Sequence, residues 1–199
     1  VQAGGSGVTG LDKNAGWSGP SYVKGLETLK SFLAFEFGQE KPLPFEVRVS
    51  KEQLYGGIDG DSSTSTNIYA TLSALSKVPI KQSIAITGSA DQFGNVQAIG
   101  GVNQKIEGFF DVLTAKLKAA GKEFDGSHGV IIPATNIPDL MLRADVVEAV
   151  KAGKFHIWGV TDVRQGIEIL TGVAYSEIKR AVDERAAAVR KGKGAARAE

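Results

Sequence analysis

Short apolar runs alternate with longer segments of helical period along most of this sequence. Apolar residues recur every three or four positions over 21–36, 63–77 and 102–117, which predicts amphipathic helices. Apolar and polar residues alternate over 45–49, and a short apolar run fills 129–133, so both segments are predicted strands. Strands that alternate with helices are typical of α/β folds. We therefore predict an α/β fold, a single compact domain in which helices flank small mixed sheets.

The remaining elements follow from the same patterns. Apolar residues at 84 and 86, a turn from Asp91 to Gly94 and an apolar segment at 96–99 predict a β-hairpin. Further predicted elements are helices at 140–152, 163–170 and 176–191 and a strand at 155–160.

The two ends of the chain differ from its middle. Residues 1–20 contain six glycines and no apolar period, and we interpret them as a loop-like lead-in. The predicted domain spans 21–175, and 176–199 is predicted to be a helix with a polar tail. Because the first residue is Val1 and Met141 is the sole methionine, we expect the sequence to be a fragment or a processed product.

Composition narrows the classes of function. The net charge is +1 with no concentrated basic face, so we expect no nucleic-acid partner. No apolar stretch approaches the roughly 20 residues that cross a bilayer, so no membrane partner is expected. The chain has no cysteine, which excludes disulfides and thiolate chemistry and fits a cytoplasmic protein.

Two segments have residues suited to acyl-transfer chemistry. In Asp59-Gly60-Asp61-Ser62-Ser63, Ser62 lies in a glycine-containing turn at a predicted helix start, where backbone N–H groups can bind an oxyanion. The oxyanion donors are expected from Asp61, Ser62 and Ser63. In Gly100–Glu107, Lys105 lies near the start of another helix, whose dipole disfavours the protonated amine. A neutral lysine can act as the general base that a serine nucleophile requires.

Other assignments of these residues stay open at this point. Ser62 alone is more commonly a helix cap than a nucleophile, and the neighbouring hydroxyls of 63–66 are further candidates. Asp59 and Asp61 as a pair make a poor cation site, so no metal is predicted. A histidine base, His128 or His156, is a weaker alternative because neither lies in a nucleophile-supporting motif. The glycines at 88–101 lack the spacing of a phosphate-binding loop.

Residues 59–110, with the motifs G-D-S and G-G-x-x-x-K-I, resemble the proteolytic domain of Lon proteases, particularly the branch with a G-D-S nucleophile motif. The similarity continues through 129–172 and covers about 20–173. The resemblance implies a Ser-Lys dyad of Ser62 and Lys105, which are 43 residues apart, as in the family. It further implies that Thr87 orients Lys105 and that Asp59 is the acidic residue ahead of the nucleophile.

The same resemblance implies a serine endopeptidase that cleaves unfolded polypeptides through an acyl-enzyme, in a homohexameric ring, in ATP-dependent protein quality control. The family usually joins this domain to an AAA-type ATPase module. This sequence contains no G-x-x-x-x-G-K-[ST] motif, so we expect no cofactor in this chain; ATP and Mg²⁺ belong to the module. The family also usually has several strands ahead of residue 21. The alternatives are a ring-forming assembly module with little peptidase activity alone and a hydrolase of small amides.

Overall fold

The structure is a computed structural model that describes residues 1–3, 5, 7–14 and 16–195, with the backbone alone at 13, 14 and 192–195. The α-helices of these residues, in chain order, are α1 (Leu11–Asn14), α2 (Pro20–Phe37), α3 (Thr64–Ser76), α4 (Val102–Ala119), α5 (Ala144–Lys151), α6 (Val163–Thr171) and α7 (Tyr175–Ala195). The strands are β1 (Gln2–Ala3), β2 (Gly7–Gly10), β3 (Phe45–Val49), β4 (Ile84–Ile86), β5 (Ser89–Ala90), β6 (Val96–Gln97), β7 (His128–Pro133) and β8 (Phe155–Val160).

These strands form three small sheets. β3 lies between β1, which is antiparallel to it, and β2, which is parallel. β4, β7 and β8 form a parallel sheet with β7 in the centre, and β5 and β6 form an antiparallel pair. Parallel neighbours need long crossovers, and here α4 lies between β4 and β7 and α5 between β7 and β8. The predicted fold class is therefore confirmed.

The core lies on both faces of the parallel sheet. Successive side chains of a strand point to opposite faces. Along β7, Ile131 belongs to the cluster under α2, α3, α6 and α7, whereas Val130 and Ile132 belong to the cluster under α4 and α5. Helices on both faces explain why β7 is an apolar run without alternation. This arrangement places α3 and α4 on opposite faces and brings the first turns of both toward the carboxyl end of β4.

Several predicted elements are present at almost the predicted positions, and others are corrected. The lead-in at 1–20 is not loop-like throughout, because it contains β1, β2 and the short helix α1. The hairpin joins β5 to β6, and β4 instead pairs with β7. The helix predicted at 140–152 begins at Ala144, after a 3₁₀-helix over Ala134–Asp139. α7 continues to Ala195, and the end of the predicted tail, 196–199, lies outside the described residues.

Candidate active site

Ser62 lies in the turn that leads into α3. The backbone N–H and the hydroxyl of Thr64 both donate to the carbonyl of Asp61, at 2.9 and 2.7 Å, and close this turn. The carbonyl of Ser62 accepts a 2.8 Å hydrogen bond from the N–H of Gly88, just beyond β4. The position of the serine therefore depends on both α3 and the segment that follows β4.

This turn also has unpaired backbone N–H groups of its own. Among the described residues, the N–H groups of Asp61, Ser62 and Ser63 have no hydrogen-bond acceptor. Unpaired N–H groups before the first turn of a helix can bind negative charge. These three N–H groups are therefore available to a negatively charged ligand.

Three of the four neighbouring hydroxyls, those of Thr64, Ser65 and Thr66, donate to backbone carbonyls, whereas Ser63 lines the same cavity as Ser62. Thr64 donates to Asp61, Ser65 donates to the carbonyl of Gly88 at 2.9 Å, and Thr66 donates to the carbonyl of Ile86 at 3.5 Å. Thr64 and Ser65 are also buried. These three side chains attach α3 to its surroundings, which makes them poor nucleophiles.

Lys105 is in the first turn of α4 and faces the same space. Its Nζ donates a 3.3 Å hydrogen bond to Oγ1 of Thr87, and that hydroxyl donates to the carbonyl of Ser62 at 3.5 Å. Within the part of the chain that the structure describes, no hydrogen bond joins Ser62 Oγ directly to Lys105 Nζ. The two side chains share the wall of one cavity of about 250 Å³. Its lining residues are Ser62, Ser63, Ala85, Ile86, Thr87, Lys105 and Val130.

Two effects in this cavity shift the pKa of Lys105 in opposite directions. Burial of the ammonium lowers the pKa of Lys105, and the negative charge of Asp61 raises it by a smaller amount, so the net direction is down. The side chain of Lys105 still reaches solvent in the single chain, so this burial is partial. The carboxylate of Asp61 accepts a 2.9 Å hydrogen bond from Ser89, which fixes its position.

Asp59 lies apart from this group. Its Oδ1 accepts hydrogen bonds from the N–H groups of Ser21 and Tyr22, in the first turn of α2, and from Gly60. Of the predicted site residues, the cavity thus joins Ser62, Ser63, Thr87 and Lys105, with Asp61 beside them. The motifs do not predict the roles of Gly88 and Ser89 in this site, although both residues follow Thr87 directly.

The histidines are placed elsewhere. His128 contacts Ser127 and Asp125, its neighbours in the chain, and the ring of His156 stacks on Trp158. Neither histidine lines the cavity of Ser62.

In the described ranges, no group of three or more His, Asp or Glu side chains is arranged to hold a metal ion. None of the described helices is long and apolar enough to span a membrane.

Comparison with known proteins adds independent information. The family described as Lon protease (S16) C-terminal proteolytic domain matches residues 56–171. A Lon protease homolog of Escherichia coli (strain K12) is 40% identical over 175 residues, which cover 88% of this chain and 29% of that protein. A Lon protease homolog of Haemophilus influenzae is 41% identical over 86% of this chain and 28% of its own length. The archaeal Lon protease of Methanocaldococcus jannaschii is 41% identical over 57% of this chain and 17% of its own. The chain thus spans less than a third of these relatives.

Proposed function

This chain belongs to the family of Lon protease (S16) C-terminal proteolytic domains, and we propose that it is a serine-type endopeptidase with a Ser62–Lys105 dyad. The observation that carries the proposal is the shared cavity at the carboxyl end of β4, where Ser62, Thr87 and Lys105 meet. Crevices at the carboxyl ends of parallel strands are common ligand sites in α/β folds.

The proposed reaction starts with neutral Lys105. Its amine accepts the proton of Ser62 Oγ while that oxygen attacks the carbonyl carbon of the scissile bond. Lys105 then protonates the amine that leaves, and an acyl-enzyme on Ser62 remains. A water molecule, deprotonated by Lys105, attacks the ester carbon, and Lys105 returns that proton to Oγ of Ser62 as the acid product leaves. Catalytic hydrogen bonds are often long in substrate-free structures, and the described residues accordingly show no direct hydrogen bond between Ser62 and Lys105.

Backbone donors bind the oxyanion that forms when Ser62 attacks the carbonyl carbon. The N–H groups of Asp61, Ser62 and Ser63 are unpaired in the described structure, and they stand at the positive end of α3. One such donor is worth roughly 10²–10³ in rate in other hydrolases.

The larger assembly belongs to the same proposal. We expect unfolded polypeptides as substrates, a homohexameric ring, and an AAA-type ATPase module elsewhere in the full-length protein that supplies the requirement for ATP and Mg²⁺. A cytoplasmic role in protein quality control, with no nucleic acid or membrane required, follows from the resemblance. The length of the relatives named above, more than three times that of the matched region, supports the further module.

A second candidate is a ring-forming assembly module with little peptidase activity alone. It is favoured by the missing direct hydrogen bond between Ser62 and Lys105 and by the solvent access of Lys105 in the single chain. Under this alternative, contacts with a neighbouring subunit complete the burial of the lysine.

Cleavage of an unfolded protein and of a short peptide amide separates the possibilities. The wild-type chain is expected to cleave the unfolded protein, and Ser62→Ala and Lys105→Ala to abolish cleavage. Ser31→Ala and Lys116→Ala, on the solvent-facing parts of α2 and α4, are matched controls that should retain activity. Full activity in both dyad variants would overturn the dyad, whereas ring formation without turnover by the wild type would favour the assembly module.

A further inference from the structure

The start of α2 lacks a capping side chain of its own. Gly19 occupies the N-cap and Pro20 the first helical position. The free N–H groups of a first turn need acceptors, which a Ser, Thr, Asp or Asn at the N-cap usually provides. Glycine cannot provide one, so the acceptor must come from another part of the chain.

Asp59, three residues before Ser62, is that acceptor. Its Oδ1 accepts hydrogen bonds of 2.9 Å from the N–H of Ser21 and 3.2 Å from the N–H of Tyr22. The same oxygen accepts from the N–H of Gly60 at 2.7 Å. These backbone donors hold the pKa of Asp59 below its usual value, so the group is a carboxylate at neutral pH.

The approach of Asp59 to α2 explains the glycine at 19. A Cβ at that position would overlap Cγ and Cβ of Asp59, closer than real carbon atoms approach each other. The backbones pair as well, because the N–H of Gly19 donates to the carbonyl of Ile58 at 2.7 Å and the N–H of Ile58 donates to the carbonyl of Trp17 at 2.8 Å. Residues 17–19 are therefore hydrogen-bonded, backbone to backbone, to the segment that leads to the nucleophile.

We propose that Asp59 is a positioning residue, which sets the path of the nucleophile turn by capping α2. Position 19 must be glycine for this contact, because a side chain there would clash with Asp59. The turn is then held at both ends, by α2 at Asp59 and by Gly88 at the carbonyl of Ser62. This inference rests on the proposed function. It differs from a role in which the charge of Asp59 acts on Lys105, because the carboxylate is engaged by backbone groups of α2.

The rate at which a fluorophosphonate labels Ser62, measured across pH, tests the cap. Asp59→Asn keeps an accepting oxygen, and Asn ranks with Asp as a cap, so labelling should stay within about twofold with an unchanged pH profile. Asp59→Ala removes the acceptor and should slow labelling by roughly fivefold or more. A shifted pH profile in Asp59→Asn would overturn the proposal, since it would assign the effect to charge.

Gly19→Ala tests the same contact from the other side. It should slow labelling as Asp59→Ala does, and the double variant should be no slower than either single one, because the contact can be lost only once. Gly56→Ala is the matched control, since its Cβ would meet nothing within 4 Å. Wild-type rates from Gly19→Ala, or additive effects, would contradict the proposal.

Amide hydrogen exchange separates the failure of this inference from the failure of the proposed function. The N–H groups of Ser21 and Tyr22 should exchange faster in Asp59→Ala than in the wild type or Asp59→Asn, whether or not Ser62 reacts. Faster exchange with an unchanged labelling rate would reduce Asp59 to a structural cap and overturn its positioning role. An unreactive wild-type Ser62 would instead contradict the proposed function, and with it the inference that rests on it.

Discussion

Lys105 and Thr87 are joined by a 3.3 Å hydrogen bond from Nζ to Oγ1, and the same hydroxyl donates to the carbonyl of Ser62. Thr87 follows directly after β4, and its side chain is buried. A buried hydroxyl has few alternative rotamers and partners, so it restricts the amine of Lys105 to one side of the cavity. The link connects the helix of the proposed base to the turn of the proposed nucleophile.

Removal of this hydroxyl should slow the chemistry. Thr87→Val keeps the branched shape but leaves Lys105 without its acceptor. A hydrogen bond that involves a charged group is worth about 1.5–3 kcal/mol, or roughly 10- to 100-fold in rate. Labelling of Ser62 by a fluorophosphonate measures the effect. Thr87→Ser should recover most of the rate. As a control, Thr114→Val removes a hydroxyl that bonds within α4 and should react normally; equal rates for Thr87→Val and wild type would contradict the role of Thr87.

The charge of Asp61 should set the pH range of activity. Lys105 must be neutral to accept a proton, so the labelling rate rises as pH increases through its pKa. Asp61 raises that pKa, and Asp61→Asn removes the negative charge while an amide oxygen remains for Ser89. The pKa of Lys105 then falls further, and the acid limb of the profile should move to lower pH.

A charge change elsewhere provides the comparison for Asp61→Asn. Asp125 is exposed and bonds to Ser127, its neighbour in the chain, so Asp125→Asn should leave the profile in place. An acid limb that stays fixed in Asp61→Asn, or moves to higher pH, would show that the charge of Asp61 does not act on the base.

The contact between Gly88 and α3 should be sensitive to one methyl group. A Cβ at 88 would lie 2.9 Å from Oγ of Ser65, and overpacking of this kind costs about 1–3 kcal/mol. Gly88→Ala should lower the free energy of unfolding and slow Ser62 labelling, because the N–H of Gly88 holds the carbonyl of Ser62. Gly100→Ala, where the added carbon meets nothing within 4 Å, should change neither quantity. Identical behaviour of the two variants would contradict the close approach.

The aromatic cluster beneath α4 should dominate local stability. Phe155 is fully buried, and its ring lies within 6.4 Å of the rings of Phe109, Phe110 and Phe124. Phe155→Ala should reduce the free energy of unfolding by about 3–5 kcal/mol in denaturant titrations. Met141→Ala, at a side chain that is 85% exposed, should stay within about 0.5 kcal/mol of wild type. A loss below about 1 kcal/mol in Phe155→Ala would show that the cavity is refilled.

Local patterns predicted the elements whose signal lies within one segment. α2 and α4 have long apolar stripes, and β8 is bounded by polar residues, so each was placed within a few residues. β2 was missed because Gly7–Gly10 has little side-chain signal and its partner β3 lies far along the chain. The hairpin was misassigned because β5 and β6 have only two residues each, whereas the more apolar β4 pairs with a distant strand.

The candidate site divides in the same way. Ser62 and Lys105 are predicted from two motifs, each of which is a continuous stretch of sequence. The cap from Asp59 to Ser21 joins residues 38 positions apart and depends on a glycine at 19, which no local pattern connects with the nucleophile. The bond from Ser89 to Asp61 spans 28 positions and is equally nonlocal. Contacts of this kind become visible only once the fold brings the segments together.

The proposed mechanism requires that Ser62 be a nucleophile activated by Lys105. The most direct test is reaction of the folded chain with a fluorophosphonate or a peptide boronate, with the modified residue located by mass spectrometry. We expect a single adduct on Ser62 that disappears in Lys105→Ala and persists in Lys116→Ala. An adduct on another hydroxyl, or an adduct on Ser62 that forms equally fast without Lys105, would contradict it.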